Sequence, residues 1–140
     1  MSGMDKFLPG VTCLGDLLDN KGYQLEYLGG ASLTFAGKGQ FYRDHGFDRV
    51  SGREELSAQQ TAPPDTSWWG LYDDDLLDIV YRRFETLSQQ GEPFGLFTLT
   101  LDTHHPKGHR SGSCDSRYAD GSNPMLDAVH CADQLAAQFI

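Results

Sequence analysis

The run F-G-L-F-T-L-T-L, residues 94–101, constrains the fold more than any other stretch. It is apolar or β-branched almost throughout and has the length of a strand. A strand without a polar face is one covered on both sides, as in a parallel sheet flanked by helices. The sequence on either side agrees. Ahead of it, Asp73, Asp74 and Asp75 place negative charge where a helix N-terminus favours it. Leu76, Val80, Phe84 and Leu87 then form an apolar stripe, and Gly91 stops the helix. After the run, residues 102–124 are rich in Pro, Gly, Ser, Asp and Asn and read as a long loop. Pro124 suits the first position of a last helix, Met125 to Ile140, with Leu126, Val129, Ala136 and Phe139 as its apolar face.

The N-terminal half is punctuated by glycine. Residues 13–21 predict a short helix ended by Gly22, with Leu14, Leu17 and Leu18 on one face. Tyr23 to Leu28 reads as a strand closed by Gly29 and Gly30. Residues 38–45 read as a helix closed by Gly46, and residues 51–68 as a polar connection holding the pair Pro63 and Pro64. Helix and strand alternate, so the expected class is α/β, a sandwich of helices on a mostly parallel sheet. Two clear strands are too few for an independently stable sheet. The last helix also runs uncapped to the end of the chain. Residues 1–140 are therefore expected to be part of one larger domain.

Hydrophobic residues make up 39% of the chain, enough for a packed core. The formal charge of −9 opposes binding to a phosphate backbone and argues against nucleic acid. No apolar run approaches the roughly 20 residues that cross a bilayer. The opening M-S-G-M-D-K has no signal-peptide core, so the signal or anchor of an exported parent would lie outside this stretch. Three cysteines, Cys13, Cys114 and Cys131, form no C-x-x-C pair. A bridge between Cys114 and Cys131 would close a short polar loop, worth roughly 3 kcal/mol. Three free thiols in a reducing compartment fit the count equally well.

In parallel α/β folds ligands gather at the carboxyl ends of strands. Two loops leave such ends. The first, G-G-A-S-L-T-F-A-G-K-G-Q, residues 29–40, resembles a nucleotide loop only superficially. Ser32 stands where the first glycine belongs, and Gly39 where the magnesium-binding Ser or Thr belongs. A glycine-rich loop with one lysine, Lys38, remains suited to an anion or to a plain flexible turn. The second loop is D-T-H-H-P. Neighbouring side chains at a strand end point apart, so only one of His104 and His105 faces a given site. No H-E-x-x-H helix and no G-x-S-x-G elbow accompanies them.

Four stretches taken together carry a resemblance. They are C-L-G-D-L-L-D-N-K-G-Y-Q, G-A-S-L-T-F-A-G-K-G-Q-F-Y-R-D-H-G-F-D, W-G-L-Y-D-D and L-F-T-L-T-L-D-T-H-H-P-K-G. In order and spacing the chain, from about Leu8 to Ile140, resembles the periplasmic phosphoglycerol transferases. These belong with lipoteichoic acid synthases in the sulfatase/alkaline-phosphatase superfamily. The resemblance implies an α/β/α sandwich in a membrane-anchored enzyme on the periplasmic face of the inner membrane. It implies transfer of phosphoglycerol from phosphatidylglycerol to a glucan, through a threonine nucleophile beside a divalent metal, usually manganese.

The glutamate, threonine and Asp-His pair that bind the metal in that family have no counterpart here. No catalytic residue and no metal ligand is therefore expected in this chain, and the isolated chain is expected to be inactive. In lipoteichoic acid synthases the first loop grips glycerophosphate with Asp, Trp and Arg. Those positions are Ala31, Ala36 and Lys38 here, so the cation survives as a point charge. The resemblance assigns His104 to phosphate oxygen, His105 to a supporting place behind it, and Trp69 and Asp73 to packing and helix capping. It implies an internal bridge between Cys114 and Cys131, with Cys13 paired to a cysteine further upstream. A sulfatase or phosphodiesterase of the same superfamily, or a non-catalytic anion- or glycan-binding module, are the alternative readings.

Overall fold

The computed structural model of the chain describes residues 6–62 and 64–140. Three strands, β1 (Gln24–Gly29), β2 (Arg49–Ser51) and β3 (Phe94–Leu99), form one parallel sheet in the order β2-β1-β3. Tyr27 of β1 stands beside Val50 on one side and Phe97 on the other. The helices are α1 (Leu14–Asp19), α2 (Lys38–Asp44), α3 (Arg53–Ser57), α4 (Asp73–Ser88) and α5 (Pro124–Phe139). None of the described helices is long and apolar enough to cross a membrane.

Side-chain alternation in β1 divides the layers. Leu25 and Tyr27 pack with Leu33 and Phe47, and with Leu18 of α1 and Tyr42 of α2. Leu28 points the other way, into Leu56 of α3 and Leu76, Ile79 and Val80 of α4. The result is the α/β/α sandwich that the alternation of elements predicts. The chain adopts a mixed α/β fold, with β1 at the centre of its described parallel sheet. Glu26 shares the α4 face of β1 and is 1% exposed. Arg83 of α4 reaches it with two donors, Nε to Oε2 at 2.7 Å and Nη2 to Oε1.

Several elements differ from the sequence reading. β3 is parallel, as expected, but lies at the sheet edge, and Leu99 is 45% exposed. Its apolar character exceeds what the described sheet covers. β2 and α3 lie around and within the stretch read as a connection. Three residues are too few to show a period, and R-E-E-L-S offers only Leu56 to the core. α1 docks through Gly15 and Leu18, leaving Leu14 and Leu17 exposed. A Cβ on Gly15 would collide with the His45 carbonyl oxygen, so close approach of backbones sets the face. In α5 the buried apolar residues are Ala128, Cys131 and Leu135, whereas Leu126, Val129 and Ala136 are exposed. A disulfide joins Cys114 to Cys131, and Leu77 of α4 packs against it, which turns that face of α5 inward. Cys13 is a free thiol at the N-cap of α1. Pro63, the first of the proline pair, lies outside the described residues.

Candidate anion-binding cleft

Because β1 and β3 are neighbours and parallel, the loops leaving their carboxyl ends lie side by side. Between them is a cleft of about 370 Å³. The first loop contributes Ala31, Phe35 and Lys38, and the second contributes Leu99, Leu101 and His104. Trp68 and Trp69 form a third wall. Lys38 and His104, far apart in sequence, thus line one cavity. His105 does not line it. Its side chain is exposed, and its carbonyl oxygen accepts a hydrogen bond from His104 Nδ1 at 2.7 Å.

That bond decides what His104 can do. Its partner is an acceptor, so Nδ1 carries a proton. Nε2 can then donate to an anion only when the ring holds a second proton and is cationic. The indole of Trp69 lies on the ring, with centroids 3.9 Å apart and planes at 31°. Phe35 meets Trp69 edge-on at 6.3 Å. Lys38 opens α2, and its Nζ stands 5.3 Å from the Phe35 ring centre. Burial pulls the Lys38 ammonium below its ordinary pKa.

The turn that presents the indoles is tight. Ser67 N donates to Gly70 O at 2.7 Å and Trp69 N to Ser67 Oγ at 3.2 Å. Leu71 N donates to Gly30 O at 3.0 Å. A Cβ on Gly70 would collide with that same carbonyl oxygen, so glycine is what lets the turn sit on the end of β1. Trp69 therefore packs, as expected, but it packs on His104 inside the cleft. Sequence reasoning missed Phe35 and Trp68 as cleft residues, and their only signal was the exposed-aromatic pattern F-A-G-K and W-W.

Asp73 differs from the capping role expected of it. Its Oδ1 accepts from Leu101 N at 2.6 Å and Asp102 N at 3.2 Å, in the histidine loop rather than in its own helix. Asp102 answers, its Oδ2 accepting from Asp73 N at 3.2 Å and from the Ser111 hydroxyl. Both carboxyls are 1% exposed, and among the described residues Asp73 Oδ2 and Asp102 Oδ1 have no hydrogen-bond partner. Burial, opposed by the Ser111 bond and aided by the Asp73 charge, pushes the Asp102 carboxyl up to about 6. Burial also raises Asp73, against the pull of its two amide donors. A raised carboxyl favours folding fully while protonated, below the unfolded value of about 4. That contribution is lost as pH rises through about 6.

The cleft lining has one ammonium and no carboxylate, so it fits an anion and not a metal cation. A larger hollow of about 480 Å³ beside α4 and α5 is lined by Asp74, Asp75 and Asp78 and would repel an anion. Among the described residues, Cys13, Asp16 and His45 bring three possible metal ligands within 4.8 Å of one another. His45 is already engaged there, Nδ1 with Asp16 Oδ2 at 2.8 Å and Nε2 with Phe7 O at 2.9 Å. Neither ring lone pair is left for a metal. The Cys13 amide and the His45 contact hold the Asp16 carboxyl below its usual range.

The sequence profile of the sulfatase family matches residues 3–140, and the chain belongs to that family. Its fold is that of the alkaline phosphatase superfamily. It superposes on a Vibrio parahaemolyticus protein of that superfamily with a TM-score of 0.75 and 26% identity, over 90% of this chain and 30% of the other. The lipoteichoic acid synthase LtaP of Listeria monocytogenes shares the fold at a TM-score of 0.72 and 19% identity, over 89% of this chain and 33% of that one. Among individual relatives, phosphoglycerol transferase I of Xanthomonas axonopodis pv. citri is 45% identical over 143 residues, covering 100% of this chain and 20% of the relative. Phosphoglycerol transferase I of Salmonella arizonae is 44% identical over 142 residues, covering 99% and 19%. The chain thus spans about a fifth of the length of the curated relatives it matches.

Proposed function

We propose that this chain is the substrate-binding part of the catalytic domain of a phosphoglycerol transferase. The longer protein would move phosphoglycerol from phosphatidylglycerol to a periplasmic glucan at the inner membrane. One observation carries the reading: Lys38 and His104 line the same carboxylate-free cleft at the carboxyl ends of β1 and β3. In this reading Lys38 supplies a fixed positive charge to a phosphate oxygen. His104 adds a second donor from Nε2 when its ring is cationic, while Trp69 holds the plane of the ring. His105 contributes through its carbonyl, which fixes the proton on His104 Nδ1. The Cys114–Cys131 bridge suits an oxidising compartment such as the periplasm.

The divalent ion expected from the resemblance does not fit the donors of this cleft, and we assign it to the remainder of the longer protein. The same assignment makes the isolated chain a binder without transferase activity. Titration with sn-glycerol 1-phosphate tests the reading. Lys38→Ala and His104→Ala are each expected to weaken binding about tenfold or more, the scale of a charge-assisted hydrogen bond. Unchanged affinity in both variants would overturn the reading. So would phosphodiester cleavage by the isolated chain supplied with manganese.

A further inference from the structure

The histidine loop is held by an arrangement more costly than a loop anchor needs. Two carboxyls, Asp73 and Asp102, are buried against each other's backbone amides, each with one oxygen that nothing satisfies. A neutral asparagine or serine could accept the same amide bonds without a buried charge. The charged groups acting on Asp102 are Asp73 and Asp74 of α4, both negative, and among the described residues no cation offsets them. Ser111 is the one side chain that donates to Asp102, while its Oγ accepts from Asp74 N at 3.2 Å. From the loop side, His109 touches Asp102 through its amide, which donates to the Asp102 carbonyl at 2.6 Å.

We propose that Asp73 and Asp102 are proton-dependent positioning residues, which set the place of His104 in the cleft through the loop they pin to α4. A proton on either unpartnered oxygen removes one of two like charges and leaves all four amide and hydroxyl bonds intact. Loss of that proton puts two carboxylates side by side without a counter-charge, and repulsion between them acts on the 101–102 backbone. His104 N donates to Leu101 O at 2.8 Å, and Gly108 N donates to His104 O at 3.1 Å, so the displacement reaches the imidazole directly. The elevated Asp102 carboxyl places this change in mildly acidic solution. The consequence for binding rests on the anion reading of the cleft, but the device itself does not.

The test needs no ligand. His104 lies over the Trp69 ring, so its carbon-bound protons are displaced by the indole ring current and report the geometry. Their NMR shifts are followed from about pH 4.5 to about pH 8 in the full chain, spanning the raised carboxyl and histidine ranges. The wild type is expected to show an inflection from the carboxyl pair. Asp102→Asn should lose that inflection and keep the low-pH geometry throughout. Ser111→Ala removes a donor to the ionised form and should move the inflection to higher pH. Identical curves in wild type and Asp102→Asn would overturn the proposal, as would an unmoved inflection in Ser111→Ala if Asp102→Asn does not fold. A chain that passes this test yet ignores glycerol phosphate would refute the binding function and leave the positioning role standing.

Discussion

Replacing Cys114 and Cys131 together by alanine is expected to lower the stability of the fold by about 3 kcal/mol. The bridge joins residues 17 apart and is the covalent tie between the histidine loop and α5. Most of the loss is conformational entropy regained by the unfolded chain. Beyond the bridge the loop is held by hydrogen bonds to α4 and α5, such as Ser113 N to Asp74 Oδ2 at 3.0 Å. Its backbone bonds are local ones such as Cys114 N to Ser111 O at 3.3 Å and Gly121 N to Tyr118 O at 2.9 Å. Both sulfurs are buried beside Leu135 and Leu77, so truncation adds a small cavity to the entropy. Urea denaturation of oxidised and reduced wild type, beside the double variant, measures the difference. Reduction alone should move the midpoint almost as far as the substitution. An unmoved midpoint would show that the loop is ordered by Asp73, Asp102 and Asp127 without the bridge. Asp127, at the start of α5, accepts from Tyr118 N at 2.8 Å and is a further anchor of the loop on that helix.

Arg83→Ala is expected to cost about 3–5 kcal/mol, the range for removing one partner of a buried ion pair. Glu26 sits on the central strand and is 1% exposed, so it cannot recover water when the guanidinium goes. Arg49 lies 4.0 Å away at the edge of β2 and is too far and too exposed to replace a two-donor contact. Replacing both Glu26 and Arg83 by leucine should recover most of the loss, because no unpaired charge remains. A double-mutant cycle on denaturation free energies reads this coupling. A single variant within about 0.5 kcal/mol of wild type would show that Glu26 finds water or a proton instead.

Long, strongly patterned stretches were legible in the sequence. The stripe Leu76, Val80, Phe84 and Leu87 marked α4, although Phe84 is exposed; Pro124 marked the start of α5, and the run at 94–101 marked a parallel strand. Short elements were not. β2 spans three residues and α3 five, below any detectable period, yet they add an edge strand and a helix to the described sheet. Faces were misread where a contact outside the helix sets its rotation, as the disulfide does for α5. The site divides the same way. Lys38 stood out as the one cation of a glycine-rich loop, and His104 from the D-T-H-H-P loop after the strand at 94–101. Trp69 gained its place only through the turn at Gly70, and Asp73 only through Asp102. Both pairings bridge segments that no local pattern relates.

The bond from His104 Nδ1 to the His105 carbonyl has a consequence for discrimination among ligands. It leaves the cleft with one standing positive charge, Lys38, and one that depends on acidity. A singly charged phosphodiester is balanced by the standing charge alone. A doubly charged phosphomonoester is balanced only when both are present. With a neutral His104 ring the cleft matches the charge of a diester, and with a cationic ring that of a monoester.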